Sequence, residues 1–301
     1  MTTPAEQRVA AHATSGTCAP GVPGTAGGYA RSFLDNHFVY VAVSPRAHGL
    51  SVGINMNPDR RCNFDCLYCE VKRATPVRED GLDVRVMIQE LGQTLQLALD
   101  NRLHGLPGFQ ALPPELLRLR HVALTGDGEP TLSPQFRETV HAVVHLRALG
   151  HFPFFKLVLL SNASTLDQVP VQQGLRLLTL EDELWLKLEA GTEEYFARLS
   201  RSGVPLAKVL ENILAVGRQR PVVIQSLFPH IQGEEPPPAE IDAYVGRLKE
   251  LVAGGARITL VQVYSAMRPA IHPEVGHLSL RSLSRIAHAV REGTGLPVEV
   301  F

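Results

Sequence analysis

The chain reads as an α/β fold, a partial (β/α)6 barrel in a single domain with a flexible N-terminal tail. Three observations predict it. Six short runs rich in Val, Leu and Ile recur between residues 50 and 265. Helical stretches lie between most of them. The runs lead into glycine, cysteine or polar residues, and in parallel βα folds functional residues gather at the carboxyl ends of strands.

The runs are LSVGINM (50–56), HVALTG (121–126), KLVLLSN (156–162), LWLKLEA (184–190), VVIQSLF (222–228) and ITLVQVYS (258–265). Their nearly continuous apolar character suits parallel strands covered on both faces. Right-handed crossovers then put the helices outside. Eight βα units close a full barrel; the six predicted here leave one side open.

Taken in order, residues 1–28 are rich in Gly, Pro, Ala and Thr and read as the tail, with the core domain over 29–301. The first strand leads into a cysteine-rich loop. A helix over 83–100 opens at Asp83 as N-cap and repeats Met87, Leu91 and Leu95 on one face. The loop LHGLPGFQALPP (103–114) precedes the second strand, which ends in GDGEP. Ser133 and Pro134 start a helix over 134–149 that stops at Gly150. The third strand ends in SNAS. Helices over 193–200 and 207–217 flank the path from the fourth strand to the fifth. EEPPPAE (234–240) reads as a surface loop entering a helix over 239–252, and a last helix over 280–291 precedes a short terminal strand.

Composition narrows the function classes. The chain has 301 residues, 45% of them hydrophobic, enough for a sizeable core. A net charge of −1 gives no global basic field for nucleic acid, though a local patch is compatible with it. No apolar run approaches a membrane span, and the start lacks the basic-then-apolar order of a signal peptide. Four cysteines, three of them clustered and Cys18 in the tail, do not make a disulfide framework. A reducing cytoplasm fits best.

In the fourth strand Leu184, Leu186 and Leu188 alternate with Trp185, Lys187 and Glu189. One face is aliphatic and meets helices. The other carries a cation and an anion two residues apart near the strand end. A buried ion pair is weak evidence for stability, so Lys187 and Glu189 are candidate catalytic residues, with a purely structural pair as the other reading.

The loop RRCNFDCLYCE (60–70) places Cys62, Cys66 and Cys69 within eight positions. A closed zinc site takes four ligands. No second half-site is evident, although a lone histidine such as His48 can supply a fourth ligand. A [4Fe–4S] cluster usually takes four thiolates, so three would leave one iron open to a substrate.

CNFDCLYC followed by GDGEP resembles the signature of the radical S-adenosylmethionine (SAM) superfamily. The longer phrases SVGINMNPDRRCNFDCLYCEV, GDGEPTL, LKLEAG and VQVYSAMRP are most similar to its wyosine-synthase-like subgroup, with Asp127 varying the usual glycine–glycine–glutamate turn. The resemblance covers about residues 40–269. It implies that Cys62, Cys66 and Cys69 hold a [4Fe–4S] cluster whose open iron takes S-adenosyl-L-methionine. It implies a SAM-binding turn at Gly126, Asp127, Gly128 and Glu129, with the Glu129 carboxylate accepting from the SAM ammonium. Tyr68 is expected beside the adenine, Ser161 and Asn162 at the ribose, and Arg198 or Arg201 at the carboxylate. It further implies a one-electron donor of flavodoxin or ferredoxin type, and a nucleoside in RNA or a related small molecule as substrate. An activase acting on a glycine of a partner protein and a non-catalytic, metal-stabilised binding module are the alternatives. Only Cys18 stands outside the trio, so a second cluster is not expected.

Other features have plainer readings. His141 and His145, spaced i, i+4, read as a solvated helix face. Arg60, Arg61, Lys72 and Arg73 flank the cysteine loop, but Asp59, Asp65 and Glu70 among them make a neutral rim as reasonable as an anion-attracting one. Met267, Arg268 and Pro269 end the last strand.

Overall fold

The computed structural model describes residues 33–71, 81–266 and 270–301. The expected tail with Cys18, Lys72, Arg73, and Met267 to Pro269 lie outside them.

The chain enters through β1 (Val39–Ser44), which pairs antiparallel with β2 (Gly49–Asn55). From β2 the sheet continues in parallel through β3 (Leu119–Thr125), β4 (Lys156–Ser161), β5 (Glu183–Lys187) and β6 (Val222–Leu227). A short ribbon of β7 (Pro229–Ile231) and β9 (Val275–His277) stands apart, while β8 (Ile258–Tyr264) and β10 (Val298–Val300) extend the main sheet. The order β1-β2-β3-β4-β5-β6-β8-β10 makes an eight-stranded partial barrel. All six expected strands are present. The antiparallel edge β1 and the ribbon were not read from the sequence.

The helices are α1 (Val84–Leu99), α2 (Phe136–Ala148), α3 (Val169–Leu175), α4 (Glu193–Ser200), α5 (Leu206–Gln219), α6 (Pro238–Ala253) and α7 (Leu280–Thr294). Asp83 caps α1, its carboxylate accepting from the backbone N–H of Arg85 at 2.8 Å and Val86 at 3.2 Å. α2 starts at Phe136 because residues 130–132 first form a tight turn capped by Glu129. It ends at Ala148 with Leu149 as C-cap, and the following Gly150 has a left-handed φ of +72°. The short α3 was not anticipated. Among the described residues no helix is long and apolar enough to cross a membrane.

The two faces of the sheet follow the predicted alternation. Leu184, Leu186 and Leu188 are buried in the main core with the helices. Trp185 points the other way and joins Val158 and Val223 in a separate apolar layer, flanked by Leu160 and Leu260. Towards the amino ends of the strands, this second face carries Ser51 bonded to His121 (2.9 Å) and Lys156 paired with Glu183 (2.5 Å). Burial, reinforced by Lys156, pushes the His121 pKa down to about 4. Towards the carboxyl ends it carries Lys187, Gln225, Gln262 and Tyr264.

The turn between β1 and β2 spans the open side. The His48 ring is 3.4 Å from the Glu299 carboxylate and its centroid 5.9 Å from that of Phe301. The Arg46 guanidinium lies 4.1 Å from the centre of the Tyr264 ring. His48, the candidate fourth ligand of a zinc site, is thus engaged with the far end of the sheet.

Candidate active site

The cysteine loop follows β2 and is fixed by backbone bonds at four places. Asp65 and Leu67 donate to the carbonyls of Ser200 and Leu199 at the end of α4, both at 2.9 Å. Cys69 accepts from Ile271 and Arg61 accepts from Glu129, both at 3.0 Å. Phe64 and Leu67 are buried, Phe64 edge-on to Phe196 with ring centres 5.7 Å apart. None of Cys62, Cys66 and Cys69 is in a disulfide, and each is half-buried. Burial pushes the Cys66 thiol up to about 12, with Lys187 opposing; a bound metal would have to displace that proton. Among the described residues no three His, Cys, Asp or Glu side chains gather as one metal ion requires. Three thiol donors on one loop are the set that would hold a [4Fe–4S] cluster with one iron left open, whereas a closed zinc site takes four ligands.

The turn after β3 packs against this loop. A Cβ on Gly128 would lie 1.9 Å from the Arg61 carbonyl oxygen, and one on Gly126 would lie 2.9 Å from the side-chain oxygens of Asn55 and Asn57. Both glycines therefore serve a close approach within the protein. Glu129 is 3% exposed. One carboxylate oxygen accepts from Ser161 Oγ (2.7 Å), Thr131 Oγ1 (2.6 Å) and Thr131 N–H (3.2 Å), the other from Asn162 N–H (2.7 Å). Burial raises its pKa, while these donors oppose the rise. Asp127 is held by Asn55, which donates to its carboxylate at 3.2 Å and accepts from its N–H at 3.0 Å.

Ser161 and Asn162 are part of the same joint. Asn162 Nδ2 donates to Asn63 Oδ1 at 3.0 Å, and Asn63 Nδ2 donates to Ser164 Oγ at 2.8 Å. The end of β4 is thereby tied both to the turn and to the cysteine loop. Thr131, Asn55 and Asn63 were not singled out from the sequence. Asn63 had a signal, a polar residue next to Cys62 inside the loop; Thr131 and Asn55 had none beyond their place at strand ends.

The structure brings Lys187, Glu189 and Tyr68 together. The Tyr68 hydroxyl donates to Glu189 Oε2. Lys187 Nζ lies 3.3 Å from that hydroxyl, 4.0 Å from Glu189 Oε1 and 5.0 Å from the centre of the Tyr68 ring. Burial pulls the Lys187 pKa down, but Glu189, Tyr264 and Cys66 outweigh it and the lysine stays charged. Burial raises Glu189, opposed chiefly by Lys187. Gln225 donates to Gln262 at 2.8 Å beneath them.

Other candidates are engaged elsewhere. Arg201 pairs with Asp65 at 3.2 Å and Arg61 with Asp59 at 3.6 Å, so these rim cations have partners. His141 and His145 stack in parallel, ring centres 6.4 Å apart, on an exposed face of α2.

No family model matches the chain. A UPF0026 protein of Helicobacter pylori is 29% identical over 182 residues, 59% of this chain and 51% of the relative. Its counterpart in a second strain is 30% identical over 181 residues, 58% and 50%. The chain spans about half the length of these curated relatives. Among solved structures, TYW1 with a lysine–pyruvate adduct bound matches with a TM-score of 0.55 at 14% identity, covering 85% of this chain and 84% of that one. Streptococcus suis SuiB bound to S-adenosylmethionine matches with a TM-score of 0.52 at 15% identity, covering 85% and 49%. At such identities the likeness is one of fold, and the fold is the partial barrel expected from the six strand runs.

Proposed function

We propose that this chain is a radical SAM enzyme, with Cys62, Cys66 and Cys69 holding a [4Fe–4S] cluster and the turn from Gly126 to Glu129 positioning SAM beside it. The observation that carries the reading is the joint between these two segments. The cysteine loop and the glycine turn follow adjacent parallel strands, and the Arg61 carbonyl and Glu129 N–H bind them together. The fold shared with SAM-bound SuiB supports it.

When bound, the cluster supplies an electron that cleaves SAM to methionine and a 5′-deoxyadenosyl radical, which abstracts hydrogen from a substrate. The chain's own residues hold and orient. Glu129, receiving four protein hydrogen bonds, fixes the turn that would hold SAM. Ser161 and Asn162 fix the adjacent strand end, where the ribose is expected. Tyr68 holds the Glu189 carboxylate. Lys187, kept charged, suits a polar or anionic substrate group better than nucleophilic attack, which needs a neutral amine.

The substrate we favour is a nucleoside in RNA or a related small molecule, supported by the wyosine-synthase-like phrases of the sequence. A flavodoxin- or ferredoxin-type protein would supply the electron in a reducing cytoplasm. Crosslinking to RNA, against co-purification of a protein partner, separates this from the activase reading. Anaerobic reconstitution tests the core claim: about four irons per chain, lost in Cys62→Ala, Cys66→Ala or Cys69→Ala. One zinc per chain and no iron chromophore would overturn it.

A further inference from the structure

We infer that Arg46 and Lys187 form an anion site at the mouth of the barrel, which takes the carboxylate or phosphate of a substrate bound together with SAM. The inference deepens the proposed function and rests on it.

The two cations reach the mouth from opposite sides. Lys187 ends β5 with its side chain 31% exposed. Arg46 comes from the β1–β2 turn that spans the open side, and is half-buried. The carboxylate they face is Glu189, its side chain 10% exposed and therefore deeper. Lys187 takes that partner. Among the described residues no carboxylate lies within ion-pair distance of Arg46, which instead rests on the face of Tyr264. Arg46 also bonds the Tyr264 side chain and acts on Glu189; a guanidinium has five N–H donors, and those that remain can bind a carboxylate or phosphate.

Charge bookkeeping favours the same conclusion. Tyr264 carries no charge, since burial raises its pKa. Gln225 and Gln262 bond each other. Among the described side chains outside the cysteine loop, two cations face one carboxylate in a half-enclosed space, where an ionic contact is screened less than on the surface. The rim differs, because Arg61 and Arg201 there have their own aspartates.

The test is calorimetric titration of the reconstituted, unreduced, SAM-saturated enzyme under anaerobic conditions at constant ionic strength. Malonate probes the carboxylate source and inorganic phosphate the other. The expected result is saturable binding of one of them, weakened at least tenfold in Arg46→Gln and in Lys187→Gln. Arg46→Lys and Lys187→Arg should retain part of it, and the exposed control Arg281→Gln should match the wild type. The proposal is overturned if neither anion saturates, if Arg46→Gln binds as the wild type does, or if the anion competes with SAM, which would assign the pair to the SAM carboxylate. Iron content and SAM affinity, measured on the same samples, separate these outcomes from failure of the underlying reading: if both are lost in the wild type, that reading fails and the anion site with it.

Discussion

The backbone N–H of Glu129 donates to the carbonyl of Arg61 at 3.0 Å, and the neighbouring Gly128 has no room for a side chain against that same carbonyl. Two segments more than sixty residues apart in the chain are thereby locked edge to edge. The thiols and the glycine turn are one rigid unit, not two motifs that happen to be near.

Gly128→Ala should break this unit. Its Cβ would sit 1.9 Å from a backbone oxygen, which cannot swing aside as a side chain can. We expect a loss of about 2–3 kcal/mol, in the range of overpacked sites, and a poorer yield of reconstituted iron. Denaturant unfolding and iron content measured together check it; wild-type values for both would contradict it.

Glu129→Gln should weaken the turn without emptying it. The amide keeps an acceptor for part of the donor set but sets an N–H₂ against Ser161, Thr131 or Asn162. About 1–3 kcal/mol is expected, the usual cost of leaving a buried polar group unsatisfied, and SAM affinity should fall with stability. A large loss of SAM affinity at unchanged stability would make Glu129 a direct ligand instead.

Much of this was legible beforehand, for identifiable reasons. Strand positions followed from aliphatic runs, and the two faces of β5 from the alternation of Leu184, Leu186 and Leu188 with Trp185, Lys187 and Glu189. The cysteine spacing marked the loop. The partners of Glu129 were not legible, because Ser161 and Asn162 lie thirty residues on and only folding brings them in. Arg46 gave no signal, since nothing local says that its turn spans the gap to Tyr264. The seven residues of α3 are too few to show a helical period.

Stability should fall as pH drops from about 6.5 to about 4 through His121. Its folded pKa is depressed from 6.5 to about 4, so in that window the unfolded chain takes up a proton that the folded chain refuses. Linkage makes the loss about 3 kcal/mol when complete. Urea unfolding across this range checks it, and His121→Gln should flatten that part of the profile. An equally steep profile in the variant would assign the loss to other groups.

Tyr68→Phe should keep the cysteine loop and its cluster, since the ring still packs. It removes the donor to Glu189 and the oxygen 3.3 Å from Lys187. A stability loss of about 1–3 kcal/mol is expected, with four-iron content unchanged. Loss of iron in this variant would mean the hydroxyl acts on the cysteines rather than on the ion pair.

The central claim is that the cysteine loop and the glycine turn form one SAM-cleaving centre. The most direct test is release of 5′-deoxyadenosine when anaerobically reconstituted protein is reduced with dithionite in the presence of SAM. We predict equal amounts of 5′-deoxyadenosine and methionine, abolished in Cys66→Ala. A protein that holds its four irons yet leaves SAM intact on reduction would contradict the account.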